Sequence, residues 1–184
     1  MPEAGEPVTG AGEPEDDGPR GYSAEYAAAH GRFALIPAAY VFLLDDDGHG
    51  GGERVLLQRR AGTGFYDGWW GASAAGHVDP GESAVDAAVR EAAEEIGVGL
   101  EASDLVPLTT LHRRAGSDAA ADQRVDFAFS CRRWAGHPSL QEQTADALEW
   151  FPLAALPDRV VHHERAVLEG LRDGTLAAIT PFGF

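Results

Sequence analysis

Three glutamates, Glu91, Glu94 and Glu95, fall at positions i, i+3 and i+4 of a stretch that reads as a helix, so their carboxylates share one face. They come late in that helix, where the macrodipole is negative. Two carboxylates about 4 Å apart repel by roughly 4 kcal/mol at a near-surface effective dielectric. Three such groups call for a cation, and ligation by oxygen alone favours magnesium, with manganese as the alternative. Arg90 precedes the cluster and can pair with Glu94 one turn on, or brace a ligand from behind. Charge runs of this kind usually face water, so the spacing around them decides the reading.

The helix that must carry them lies within Gly76 to Val98, GHVDPGESAVDAAVREAAEEIGV. Pro80 and Gly81 break any preceding strand, Ser83 is the expected N-cap with Asp86 as its capping-box partner, and Gly97 suits the left-handed closing residue. Val85, Ala88, Val89, Ala92 and Ile96 recur at three- and four-residue intervals, which marks one buried stripe.

The spacing runs Gly76, then Glu82, then Arg90-Glu91, then Glu94-Glu95, then Gly97-Val98. This resembles the Nudix box of MutT-like hydrolases, Gly-x5-Glu-x7-Arg-Glu-U-x-Glu-Glu-x-Gly-U, where U is a bulky aliphatic. Every fixed position is met, and Ala92 is a smaller residue than usual at the first U. The resemblance implies an α+β fold, a Nudix-type α/β/α sandwich with a mixed central sheet. It implies hydrolysis of a diphosphate linkage in a nucleoside triphosphate or nucleoside diphosphate derivative. Magnesium would be held by Glu91, Glu94 and Glu95, with a backbone carbonyl at Ala75 or Gly76. Glu82 and Arg90 complete the implied catalytic set as orienting residues. The base that takes the proton from water stays open among Glu94, Glu95 and a downstream acid, Asp126 or Glu142.

Composition narrows the partners. The 184 residues carry a formal net charge of −16, which disfavours nucleic acid polymers and anionic membranes. An anionic substrate therefore needs local cations. Every one of the 14 basic residues is arginine, so lysine chemistry is excluded and guanidinium forks must grip phosphate. The expected clamps are Arg59, Arg60, Arg113 and Arg114. Cys131 is the only cysteine, no secretory signal or membrane-length apolar run is visible, and the cytoplasm is the expected compartment. A homodimer is left open.

In chain order, residues 1–21 are acidic and proline-containing and read as a disordered tail, with one domain expected over 22–184. Tyr22 to Arg32 is alanine-rich and suits a short helix. Ile36 to Leu44 is an apolar run expected as a buried strand, Asp45 to Gly52 a loop, and Arg54 to Arg59 the returning strand. A glycine-rich loop then leads to Trp69 and Trp70, which with Phe65 and Tyr66 are candidates to stack on a base. Leu105 to Arg114 reads as a strand, 115–122 as a loop, and Arg124 to Trp134 as a half-buried strand with Cys131 on its apolar side. A short strand at Leu148 to Pro152 precedes a last helix, Arg159 to Asp173, capped by Asp158, with His162 and His163 at its surface.

The identity of the group linked to the diphosphate is not written in a known signature. The tyrosine that marks dinucleoside polyphosphate hydrolases and the proline that marks ADP-ribose hydrolases are missing from their windows beyond the box, and a coenzyme A signature is met only partly at Leu56 to Ala61. Two rival readings exist. Ser73 to His77 is also similar to isopentenyl diphosphate isomerases, which use a cysteine near this strand, whereas Cys131 lies far downstream. A non-catalytic Nudix nucleotide-binding module would usually lose box glutamates, and this chain keeps them.

Overall fold

Alternate residues of the first strand face different helices, which is why its sequence reads as an unbroken apolar run. The computed structural model describes residues 35–46, 52–114 and 123–184. The expected acidic tail, the alanine-rich helix, the 115–122 loop and most of the 45–52 loop lie outside the described residues. In β1 (Ile36–Asp46), Ala39, Val41 and Leu43 point to one layer, and Phe42 and Leu44 to the other. The first layer is α1 (Ala84–Ile96), whose Ala88, Ala92 and Ile96 are fully buried. The second is α2 (His162–Asp173), which contributes Val167 and Leu168.

The remaining strands extend the sheet: β2 (Glu53–Arg60), β3 (Trp70–Gly71), β4 (Ala74–His77), β5 (Leu105–Arg114), β6 (Gln123–Cys131), β7 (Ala145–Pro152) and β8 (Ile179–Phe182). The order is β3-β2-β1-β6-β5-β8, with β4 also beside β1 and β7 beside β2. Pairs β1–β6 and β5–β8 are parallel and the others antiparallel. The result is a mixed sheet between two helices, the expected α/β/α sandwich.

One edge of β1 is shared. Its first half pairs with β4 (Ala38–His77 to Val41–Ala74) and its end with β2 (Leu44–Val55 to Asp46–Glu53). Ser73 stitches this split: its buried hydroxyl accepts from Leu43 N at 2.8 Å and donates to Leu56 O at 2.7 Å.

Helix α1 starts and stops as its sequence demands. Ser83 and Asp86 form a reciprocal capping box, and Gly97 closes the helix at φ 68° with its N–H on the carbonyls of Ala92 and Ala93. Helix α2 differs from expectation. It begins at His162, with Val161 rather than Asp158 at the cap position. Backbone bonds from Trp70 N to Arg159 O and from Val161 N to Trp70 O hold residues 159–161 extended against β3. That shifts the helix phase and places His163 in the interior, not at the surface. Strand β6 is also more buried than expected. Asp126 and Ser130, on its supposed polar side, are covered, because a charged partner on β5 meets Asp126 under α2.

Leu43 is completely buried between β1 and α1. Leu43→Ala is expected to cost about 2–5 kcal/mol in urea unfolding; a loss under about 1 kcal/mol would show that this layer is loosely packed.

Candidate active site

Arg90 is the hub of the acidic helix. Its Nε and Nη2 reach both oxygens of Glu82, at 2.8 and 2.9 Å. Its Nη1 donates to Glu91 Oε1 at 2.7 Å and to Glu94 Oε2 at 2.9 Å. Nη2 also reaches the carbonyl of His77 at 3.1 Å. One guanidinium thus ties the strand end, the loop before the helix and two successive helical turns. Glu82 is held well below the usual carboxylate range, at about 2, by those bonds from Arg90.

The backbone just before the helix is pressed between carboxylates. Glu95 of α1 accepts from Ala75 N at 2.8 Å and from Gln58 Nε2 at 2.9 Å, both through Oε2. Glu91 lies against Gly76 so closely that a Cβ there would stand 1.9 Å from its Oε1. On the other side, Glu164 of α2 accepts from Ala72 N, and a Cβ at Gly71 would come within 3.2 Å of its Oε2. Residues 71 and 76 are glycine because a side chain at either would occupy carboxylate space.

A cavity of about 540 Å³ opens at the split in the sheet. Glu95 and Gln58 form one wall, Gly76 and His77 another, and Tyr40, Arg113 and Glu164 the floor, with Arg60, Phe65 and Arg124 at the sides. Of the residues singled out from sequence, Ala75, Gly76, Glu95, Arg60, Phe65 and Arg113 line it, whereas Glu82, Glu91 and Glu94 do not. Arg59 pairs with Asp146 at 2.7 Å instead, and Arg114 reaches Gly183 O and the Phe184 ring. Trp70 packs edge-on against Phe151, and Trp69 against Tyr66 and His162, so neither tryptophan lines the cavity. Phe65 is the candidate aromatic that does, with the Arg60 guanidinium 5.5 Å above its ring.

Arg113 is buried and bonded to Asp126. This takes Asp126 out of reach as a base, since its carboxylate is enclosed and does not line the cavity. Arg60 and Arg124 make no ion pair with a described carboxylate, so within a strongly acidic chain they are the cavity's cationic charge. Cys131 sits in the α1-side core, its thiol bonded to Arg133 O at 3.0 Å.

Burial sets the protonation of the carboxylates. It raises Glu95 to about 7 against the opposing donors of Ala75 and Gln58. It raises Glu91 too, opposed by Arg90, and Glu142 is near enough to add to both shifts. Burial also pushes Glu164 up to about 7 and His163 down to about 3.

Among the described residues, no three acids, histidines or thiols stand together as a metal coordination set. The residues nevertheless fit a hard cation. Glu91 Oε1 and Glu94 Oε2 already converge on one positive nitrogen, Arg90 Nη1, and a side chain at residue 76 would close the approach to Glu91.

Tyr40, Gln58, His77, Arg124 and Glu164 were not singled out from sequence. Gln58 had a signal, because it shares the α1 side of β2 with Leu56, where a polar residue is out of pattern. Glu164 had none once the helix was started three residues early.

A glutamate-bearing helix on an α/β/α sandwich, with one glutamate walling a polar cavity, defines the class of Nudix hydrolases. The NUDIX domain matches residues 34–171, and the chain belongs to the Nudix family. Among solved structures, a MutT NUDIX hydrolase from Burkholderia pseudomallei is 28% identical, with a TM-score of 0.62, covering 74% of this chain and 97% of that one. The NUDIX domain of Shewanella oneidensis NrtR, solved with ADP ribose, is 19% identical with a TM-score of 0.61, covering 83% and 98%. An isopentenyl-diphosphate Delta-isomerase from Mycolicibacterium vanbaalenii is 34% identical over 142 residues, 75% of this chain and 74% of that protein. No described helix is long and apolar enough to cross a membrane.

Two outcomes are expected. Gly76→Ala should displace the Glu91 carboxylate and lower turnover at least tenfold while the circular dichroism spectrum is kept; unchanged turnover would mean that the contact is dispensable. Glu164 has a folded pKa near 7 against 4.5 for the free side chain. Its contribution to stability is therefore full below the lower value and gone as pH rises through the higher one. Glu164→Gln should shrink the drop in stability between pH 5 and pH 8 by on the order of 2–3 kcal/mol, measured by denaturant unfolding. An identical drop in the variant would contradict the assignment.

Proposed function

We propose that the protein is a magnesium-dependent pyrophosphohydrolase that cleaves a diphosphate linkage in a nucleoside triphosphate or a small nucleoside diphosphate derivative. The observation that carries this reading is the Arg90 hub, which holds Glu82, Glu91 and Glu94 together beside a cavity walled by Glu95. Glu91, Glu94 and Glu95, with the Gly76 carbonyl, would hold the divalent cation, with manganese as a substitute. When bound, it neutralises phosphate charge and acidifies water.

In this reading Arg60 and Arg124 bind the anionic chain of the substrate and offset the acidic surroundings. Water adds to phosphorus, the bridging P–O bond breaks, and the leaving phosphate carries away the electron pair. The water's proton passes to a carboxylate near the cation. Glu95, with a pKa near 7, suits that task at neutral pH, and Glu94 and Glu142 remain the other candidates. Arg90 keeps Glu91 and Glu94 oriented and Glu82 ionised.

The relative of 34% identity favours one second reading, isomerisation of an isopentenyl diphosphate. Against it, β4 carries Ala74 and Ala75 where that resemblance leads one to expect a cysteine, and the chain's only thiol is enclosed in the core. A non-catalytic module is disfavoured by the complete set of box glutamates.

Glu94→Gln is expected to reduce magnesium-dependent phosphate release from nucleotides by ~100-fold or more, in the range of a lost acid–base or ligand group, with the fold intact. Full activity in the variant would refute the role of the acidic helix. Interconversion of isopentenyl and dimethylallyl diphosphate, with no hydrolysis of any nucleotide, would favour the second reading.

A further inference from the structure

The floor of the cavity is built from groups that the box does not use. Glu164 is 4% exposed and Arg113 6% exposed, yet both line the cavity. Burying a carboxylate costs free energy unless its hydrogen-bonding capacity is met. Here only Oε2 is met, by Ala72 N. Among the described residues no hydrogen bond reaches Oε1, and His163 Nε2 stands 3.8 Å from it. That nitrogen and Asp126 Oδ1 are themselves buried without a hydrogen-bond partner. Neither His163 nor Asp126 lines the cavity, so the Glu164 carboxylate is the acceptor that a polar guest there can meet.

The chemistry of the lining says which end of the guest arrives there. Glu95 of α1 and the Gly76 backbone of β4 line it, together with Tyr40 of β1, Arg113 of β5 and Glu164 of α2. Phe65 at the rim, overlaid by Arg60, offers a flat face for a planar ring. The same cavity holds an acceptor, Glu164, and a donor, Arg113, which is fixed by Asp126 and by Tyr40 Oη at 3.4 Å. A nucleobase edge with an amino group next to a ring acceptor complements that pair; a prenyl chain does not.

We propose that Glu164 is a specificity-determining residue that accepts a hydrogen bond from the exocyclic amine of the substrate's base, with Arg113 donating beside it. This rests on the nucleotide reading of the site above and adds a base-reading residue outside the box, on the second helix. Glu164→Gln is the informative change. The amide oxygen can keep the bond from Ala72 N, while the amide NH2 replaces an acceptor with a donor.

The test is equilibrium binding by calorimetry without turnover, in calcium-containing buffer. The probes are ATP, GTP and CTP, which carry exocyclic amines, purine riboside triphosphate, which carries none, and inorganic tripolyphosphate, which has no base. Wild-type protein should bind at least one amine-bearing nucleotide about tenfold or more tighter than purine riboside triphosphate. Glu164→Gln should erase that preference and change tripolyphosphate affinity less than about twofold, which also reports an intact fold. Equal affinity of the wild type for purine riboside triphosphate and all three amine-bearing nucleotides overturns the proposal, and this arm needs no variant. So does an equal loss of nucleotide and tripolyphosphate affinity in the variant, or a wild type that binds none of the nucleotides. Selective binding without magnesium-dependent hydrolysis would sink the hydrolytic reading and leave this one standing.

Discussion

Carboxylates from both helices close on one short run of backbone, and that constraint shapes the rest of the molecule. Glu95 and Glu91 of α1 press on Ala75 and Gly76, and Glu164 of α2 presses on Gly71 and Ala72. Each of Glu95 and Glu164 is desolvated and held by a main-chain N–H, an arrangement that needs the strand to sit at hydrogen-bond distance with no side chain between. The glycines and alanines of the run supply that closeness. Ser73, at its centre, supplies the one polar side chain, and spends both bonds joining β1 to β2. The split between β2 and β4 is thereby fixed, and with it the cavity.

Arg90 answers the repulsion on the α1 side. Three carboxylates around one guanidinium make up a network that a single exposed pair could not match. The same oxygens are what a hard divalent cation would seek, so a cation would have to compete with the guanidinium for Glu91 and Glu94. On the α2 side no arginine among the described residues bonds to Glu164, whose carboxylate lines the cavity. The two helices thus present acids of different character: one set organised for charge, the other for hydrogen bonding.

Much of this was legible in the sequence where local chemistry decides it. The Ser83 to Gly97 limits of α1 follow from caps whose partners lie within one turn. The burial of β1 on both faces follows from its unbroken apolar run. The spacing of the box acids carries the family. What was not legible depends on contacts distant in sequence. Residues 159–161 look helical by composition but are captured by Trp70, which moves the start of α2 and buries His163 and Glu164. Asp126 sits at a position that period-two alternation assigns to solvent, and only Arg113 on the neighbouring strand explains its burial. The two-residue strand β3 is too short to leave a pattern, and the aromatic that reaches the cavity, Phe65, had no feature to set it apart from Trp69 and Trp70.

The account's central claim is that the acids of α1 gather a divalent cation beside the cavity. The direct measurement is titration of the protein with manganese, following the free-ion signal by electron paramagnetic resonance, in the wild type and in Glu91→Gln. The account predicts saturable binding in the wild type, weakened at least tenfold in the variant. Binding of equal affinity in both proteins, or none in the wild type, would contradict it.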